Sequence, residues 1–250
     1  MKLENEEISA PVENNRNPLT IVKPEMPTLT PEIDQVIIRA LSSNYKKVLV
    51  SSYGIKITRT DIETLTERRW LNDQVINFYF EMIVERSLKN DNLPKVYDFS
   101  SFFYPKLIKC NYSKVERWTR KVDLFSHDLI FIPVHLCVHW CLAVVDFRKC
   151  GIYYYNSKCL ANNECLNAIE QFLKDEHLAK KNVPLDLSNF EKLNVKDIPK
   201  QTNSYDCGMF ICKFAEYISR NADITFKEND LQFFRRRMVY EIVEKTILHS

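Results

Sequence analysis

The spacing of apolar positions along the chain changes several times, and each change marks an element. Thr30, Pro31 and Glu32 place a capping hydroxyl and a first-turn proline ahead of Ile33, Val36, Ile37 and Leu41, which share one helical face. Residues 47–52 and 55–59 read as strands, with Gly54 as the turn between them. Residues 60–65 predict a short helix. Trp70-Leu71-Asn72-Asp73 opens a stronger one carrying Val75, Ile76, Phe78, Tyr79, Met82 and Ile83, and residues 100–110 and 113–120 predict two more. In the middle, residues 129–135, 139–147 and 152–155 are almost continuously apolar. Short apolar runs broken by turns indicate buried central strands. Arg148 to Gly151 is the expected hairpin turn, with Gly151 supplying a positive φ. Helical spacing returns from Asn162 through Leu166, Ile169, Phe172 and Leu173. Residues 191–195 suit an edge strand, and 207–220 and 230–249 the last helices. With no internal repeat or boundary, this predicts one α+β domain, a small sheet set between helices.

Composition narrows the functional classes. A chain of 250 residues can bury a core without disulfides or metal. Its net charge of +2 argues against nucleic acid as main partner, which needs a concentrated basic surface. No apolar run reaches the roughly 18 residues of a membrane span. Residues 1–15 lack a signal-peptide core, so the eight cysteines are expected as reduced thiols in cytosol or nucleus. Three glycines, at 54, 151 and 208, cannot assemble a phosphate-binding glycine loop. Residues 1–25, polar and proline-bearing, read as a flexible tail ahead of a domain over 26–250.

The chemistry concentrates in the second half. Cys207 begins an apolar helix, with Gly208 after it and Asp206 before it as a prospective N-cap. A helix N-terminus lowers a thiol pKa and offers free N–H groups, so a nucleophilic thiolate suits this position as well as inert packing does. His139 opens a buried strand, where a histidine is often only a hydrogen-bonded structural residue. Cys137, His139 and Cys141 alternate, so on one strand they would share a face and resemble three zinc ligands, although common structural zinc spacings are absent. Arg235-Arg236-Arg237 reads as a solvated helix face.

Taken in order, Thr60-Asp61-Ile62 through Leu65, Trp70-Leu71-Asn72-Asp73, Asn77-Phe78-Tyr79, Phe102-Phe103, Arg117-Trp118-Thr119, Val138-His139-Trp140-Cys141-Leu142 and Gln201 through Gly208 carry a resemblance over about residues 25–250. The chain resembles the catalytic domain of the ubiquitin-like-specific cysteine proteases, the sentrin/SUMO-specific proteases. The resemblance implies a papain-like architecture with a small central mixed sheet, Cys207 as nucleophile, His139 as base and acid, and Gln201 as oxyanion donor. It also implies that Trp70 and Trp140 close a tunnel over a Gly-Gly tail, and that Asp73, Phe102 and Arg117 hold the SUMO body or tail. Neither metal nor organic cofactor is implied. The implied partners are SUMO and its conjugates, and the implied state is a nuclear monomer, with some cytoplasmic presence. The third triad position falls on Asn156, where most of the family has Asp. Its oxygen is expected to accept from His139 Nδ1, the ion pair is expected to be weak, and an acid there is expected to speed the reaction. Two rival readings are a protease for another ubiquitin-like protein, of the deneddylase type, and a catalytically impaired SUMO-binding module.

Overall fold

The computed structural model describes residues 28–248, so the expected tail at 1–25 lies outside the described residues. Helix α1 (Pro31–Leu41) starts as expected, the Thr30 hydroxyl accepting from Ile33 N–H and Pro31 standing in the first turn. A hairpin, β1 (Val48–Ser52) and β2 (Ile55–Thr58), leads into α2 (Arg59–Glu63) and α3 (Asp73–Leu88). Strand β3 (Val96–Asp98) and α4 (Phe103–Cys110) follow, then β4 (Leu129–Leu136), β5 (His139–Asp146) and β6 (Gly151–Tyr155). The remaining elements are α5 (Asn163–Lys181), β7 (Glu191–Val195), α6 (Cys207–Ser219) and α7 (Leu231–Glu244).

The second sheet is mixed, in the order β3-β4-β5-β6-β7. Its outer pairs are parallel and its two inner pairs antiparallel. The period-two alternation of β4 and β5 splits their side chains between two cores. Leu129, Phe131, Trp140, Leu142 and Val144 join the core beneath α3, α6 and α7. Ile130, Ile132, Val134, Cys141, Ala143 and Val145 join the one beneath α4 and α5. This is why the strands read as continuous apolar runs. No helix among the described residues is long and apolar enough to cross a membrane.

Four local expectations need correction. Residues 113–120 form two short 3₁₀ turns, Tyr112–Lys114 and Glu116–Thr119, in place of a helix. The positive φ of the β5–β6 turn belongs to Cys150. A Cβ at Gly151 would overlap the outer end of the Tyr153 ring, so a side chain there would displace that ring. Cys137 lies in the β4–β5 turn with φ 55° and is exposed, so it leaves the face that His139 and Cys141 share along β5, and the three do not come together. Arg235 and Arg237 are each only 1% exposed; of the three arginines only Arg236 faces solvent.

Candidate active site

The site is assembled where β5 and β6 meet the start of α6. His139 is the first residue of β5, set by the tight turn that pairs it with Leu136. Asn156 follows the last residue of β6 and is 4% exposed. Its amide is fixed from three sides. Oδ1 accepts from His139 Nε2 at 2.8 Å and from Lys158 N–H at 2.9 Å, and Nδ2 donates to the Leu160 carbonyl at 3.2 Å. The bond therefore involves Nε2, not the expected Nδ1. With Nε2–H donating to Asn156, the lone pair sits on Nδ1, the nitrogen left to take a proton.

Cys207 is the first residue of α6, 2% exposed. Its sulfur faces the backbone N–H groups of Trp140 and Gly208. Because Trp140 directly follows His139, this contact brings the thiol beside the imidazole's strand. Burial pushes the thiol above its ordinary range, against the pull of those amides and of Lys158. Burial likewise pushes His139 below its usual value, opposed by the Asn156 bond. Both shifts favour the neutral forms, thiol over thiolate and imidazole over imidazolium. Cys141 and Cys165 are driven much further, up to about 12, which leaves them inert at neutral pH.

Asp206 does not cap α6 with its side chain. Its carboxylate instead accepts from Asn203 Nδ2 at 2.7 Å and from buried Arg235 at 2.7–2.8 Å. Gln201 is 8% exposed; Oε1 accepts from Ser157 Oγ and Nε2 donates to the Asn203 carbonyl, both at 2.8 Å. Its backbone N–H donates to the Ser157 carbonyl, tying the Gln201 segment to the turn that carries Asn156.

Trp140 is 6% exposed, and its Nε1 donates to the Leu71 carbonyl at 3.3 Å. Trp70, next to Leu71, is 51% exposed. The two indoles thus belong to one corner. Asp73, half-buried at the start of α3, acts on His135, whose ring stacks on Trp140 at 4.1 Å. His135 was not singled out from sequence, since a histidine near a strand end carries no distinctive signal. Phe102 and Arg117 lie elsewhere. Phe102, 59% exposed, borders a groove of about 830 Å³ with Tyr53, Asn77, Glu81 and Asp98. Arg117 lines a basic hollow of about 660 Å³ with Arg120, Lys121 and Lys180. Arg235, Asn203 and Ser157 are the supporting residues that sequence reasoning missed.

The family model of the Ulp1 protease family, C-terminal catalytic domain, matches residues 69–247. The chain belongs to this family. Sentrin-specific protease 2 of Pongo abelii is 41% identical over 223 residues, covering 88% of this chain and 38% of that protein. A sentrin-specific protease of Caenorhabditis elegans is 40% identical over 216 residues, covering 86% and 31%. The chain thus spans about a third of the length of these relatives. Among solved structures, the C-terminal Ulp1 protease domain in complex with Smt3, the yeast ortholog of SUMO, superposes with a TM-score of 0.75. It is 32% identical, over 88% of this chain and 97% of that one. The expected α+β architecture with a mixed sheet between helices is therefore that of the Ulp1 protease domain.

Proposed function

We propose that this chain is the catalytic domain, over 26–250, of a SUMO-specific cysteine protease that hydrolyses the bond after SUMO's C-terminal Gly-Gly, in precursors and in lysine conjugates. The observation that carries the reading is the His139–Asn156 bond beside a thiol seated on the Trp140 and Gly208 amides. Cys207 gives its proton to His139 Nδ1 as its sulfur adds to the glycine carbonyl carbon. The oxyanion is met by backbone N–H at the start of α6 and by the Gln201 amide, which turns one N–H from its resting bond to Asn203. The C–N bond breaks as His139 protonates the departing lysine amine. Water then gives a proton to His139 and adds to the thioester; the C–S bond breaks, and Cys207 recovers its proton. Trp70 and Trp140 admit a tail without Cβ atoms, while Asp73, Phe102 and Arg117 contact the SUMO body or tail. The solved Ulp1–Smt3 complex supports SUMO as partner. The enzyme acts as a monomer, mainly in the nucleus.

The test is a SUMO probe with a C-terminal electrophile, with ubiquitin and other ubiquitin-like probes in parallel. Covalent capture of SUMO alone, mapped to Cys207 and lost in Cys207→Ser, is the expected result. Capture of another modifier in its place would assign a different substrate, and SUMO binding without capture would make the domain a binding module.

A further inference from the structure

Arg235 takes no part in those steps, yet its guanidinium joins the two segments that carry the candidate site. Fully buried on α7, it donates to the carbonyls of Thr64 at 3.0 Å, Thr66 at 3.2 Å and Arg69 at 2.9 Å. On the other side it donates to the Tyr205 carbonyl at 3.2 Å and pairs with Asp206 at 2.7–2.8 Å. One residue beyond Arg69 is Trp70; one residue beyond Asp206 is Cys207. A single planar fork therefore holds both the indole's segment and the nucleophile's segment by their main chains.

The Trp70 segment is gripped on its other side as well. The Leu71 carbonyl accepts from Trp140 Nε1. Leu71 also packs so closely on α6 that a Cβ added to Gly208 would come within 2.8 Å of the Leu71 Cβ. Trp70 itself is half exposed, so backbone on either side sets its position more than packing of its ring does. Arg235 is the part of this arrangement that spans from one segment to the other through five different residues.

We propose that Arg235 is a positioning residue for tail selectivity: it sets the spacing between the Trp70 and Cys207 segments, and so decides which tail residues reach the sulfur. The proposal rests on the protease reading above. A Gly-Gly tail has no Cβ, whereas an alanine at the last position needs room for a methyl. A gap held to a few tenths of an ångström rejects the methyl, and a loosened gap admits it. Lysine keeps the charge facing Asp206 but has three donors on one compact head, so it cannot reach both sets of carbonyls at once. A buried pair serving stability alone would, when weakened, slow all tails alike.

The experiment compares the parent domain with Arg235→Lys on SUMO precursors ending in Gly-Gly and in Gly-Ala at the scissile bond. Hydrogen exchange over residues 64–72 and 203–208 is measured on the same proteins. For Arg235→Lys, kcat on the Gly-Gly precursor should fall about 10- to 100-fold with KM little changed, as expected for a misplaced scissile bond. The Gly-Gly over Gly-Ala ratio of kcat/KM should fall about tenfold or more, and exchange should rise in both segments together. An unchanged ratio, or exchange that rises in only one segment or neither, overturns the proposal. Should Arg235→Lys fail to fold, Asp206→Asn decides. It weakens the grip on the Cys207 segment while the Thr64, Thr66 and Arg69 carbonyl bonds stay, so a fallen Gly-Gly over Gly-Ala ratio supports the proposal and an unchanged ratio overturns it. Failure of the parent to cleave any SUMO precursor would sink the protease reading instead, and the exchange measurement would still judge the clamp.

Discussion

At Cys207 burial and backbone amides act on one sulfur in opposite directions, and burial prevails. His139 is also pushed toward its neutral form. The thiolate fraction should therefore grow as pH rises through neutrality, because the folded thiol pKa lies above its ordinary value. Alkylation of Cys207 by iodoacetamide in the substrate-free domain should quicken roughly tenfold per pH unit from 7 to 9. A plateau already present below pH 7 would mean a preformed ion pair and contradict this. The same residue-scale geometry reverses the expectation for Asn156. Its oxygen faces two donors and its amide nitrogen faces the Leu160 carbonyl, so all three partners suit an amide. A carboxylate would set an anionic oxygen against that carbonyl, losing a hydrogen bond and adding repulsion. Asn156→Asp should be no faster than the parent at pH 7, and about 3- to 10-fold slower if the ring loses its seating. Steady-state cleavage of both forms settles it, and a clear acceleration would show that the missing charge matters more than the amide's fit.

At the scale of elements, α6 reaches the site only because residue 208 has no side chain. An added Cβ would meet Leu71 at 2.8 Å, and Leu71 carries the carbonyl that Trp140 holds. Gly208→Ala should destabilise the domain by about 1–3 kcal/mol, the usual range for overpacking. Its turnover should fall by more than that loss of folded population explains. Thermal melts paired with kcat measured well below Tm test this, and parent-like turnover would show that the Trp70 segment tolerates the shift. The elements themselves were legible where local and global demands agree. Strands β4 to β6 read correctly because both their faces are buried, and α1 because Thr30 and Pro31 mark its start. Cys207 and His139 were candidates by position, one opening a helix and the other a buried strand, but position alone also fitted inert packing, and their roles came from the resemblance carried by the blocks around them. Residues 113–120 misled because Val115 and Thr119 bury at i, i+4 spacing although the backbone only turns. Arg235 was illegible because a run of three arginines looks like a surface. Three of its acceptors are main-chain carbonyls more than 160 residues away, and side-chain chemistry does not reveal them.

At the scale of the whole molecule, α3 and α6 are joined at both ends. Their N-terminal ends meet where Leu71 rests on Gly208, and their C-terminal ends meet in a buried charge cluster. There Glu216 of α6 accepts from Arg86 of α3 at 2.9 Å, from Arg220 at 2.9 Å and from Lys213 at 3.1 Å. Burial alone would raise the Glu216 pKa, but Lys213, Arg220 and Arg86 outweigh it and hold it down to about 2. Lys213 lies over the Phe234 ring at 4.3 Å and is itself pushed down, because its burial outweighs even Glu216. A carboxyl whose folded pKa lies below its unfolded value stabilises the fold above the unfolded value. That stability disappears as pH falls through the folded one. From an ordinary value of 4.5 to about 2, the contribution is on the order of 3 kcal/mol, present at neutral pH and lost between about pH 4.5 and 2. Replacing Glu216 with Gln leaves buried Lys213 and part-buried Arg86 and Arg220 without their shared anion, which should cost about 3–5 kcal/mol at pH 7. The variant should also lose this part of the acid transition. Its stability should recover as pH rises toward the range where Lys213 gives up its proton, since a buried base with a lowered pKa favours the fold most when neutral. Urea unfolding of parent and Glu216→Gln from pH 3 to 10 measures all three effects. Parallel curves for the two proteins would show that the cluster is not what holds the C-terminal ends of α3 and α6 together.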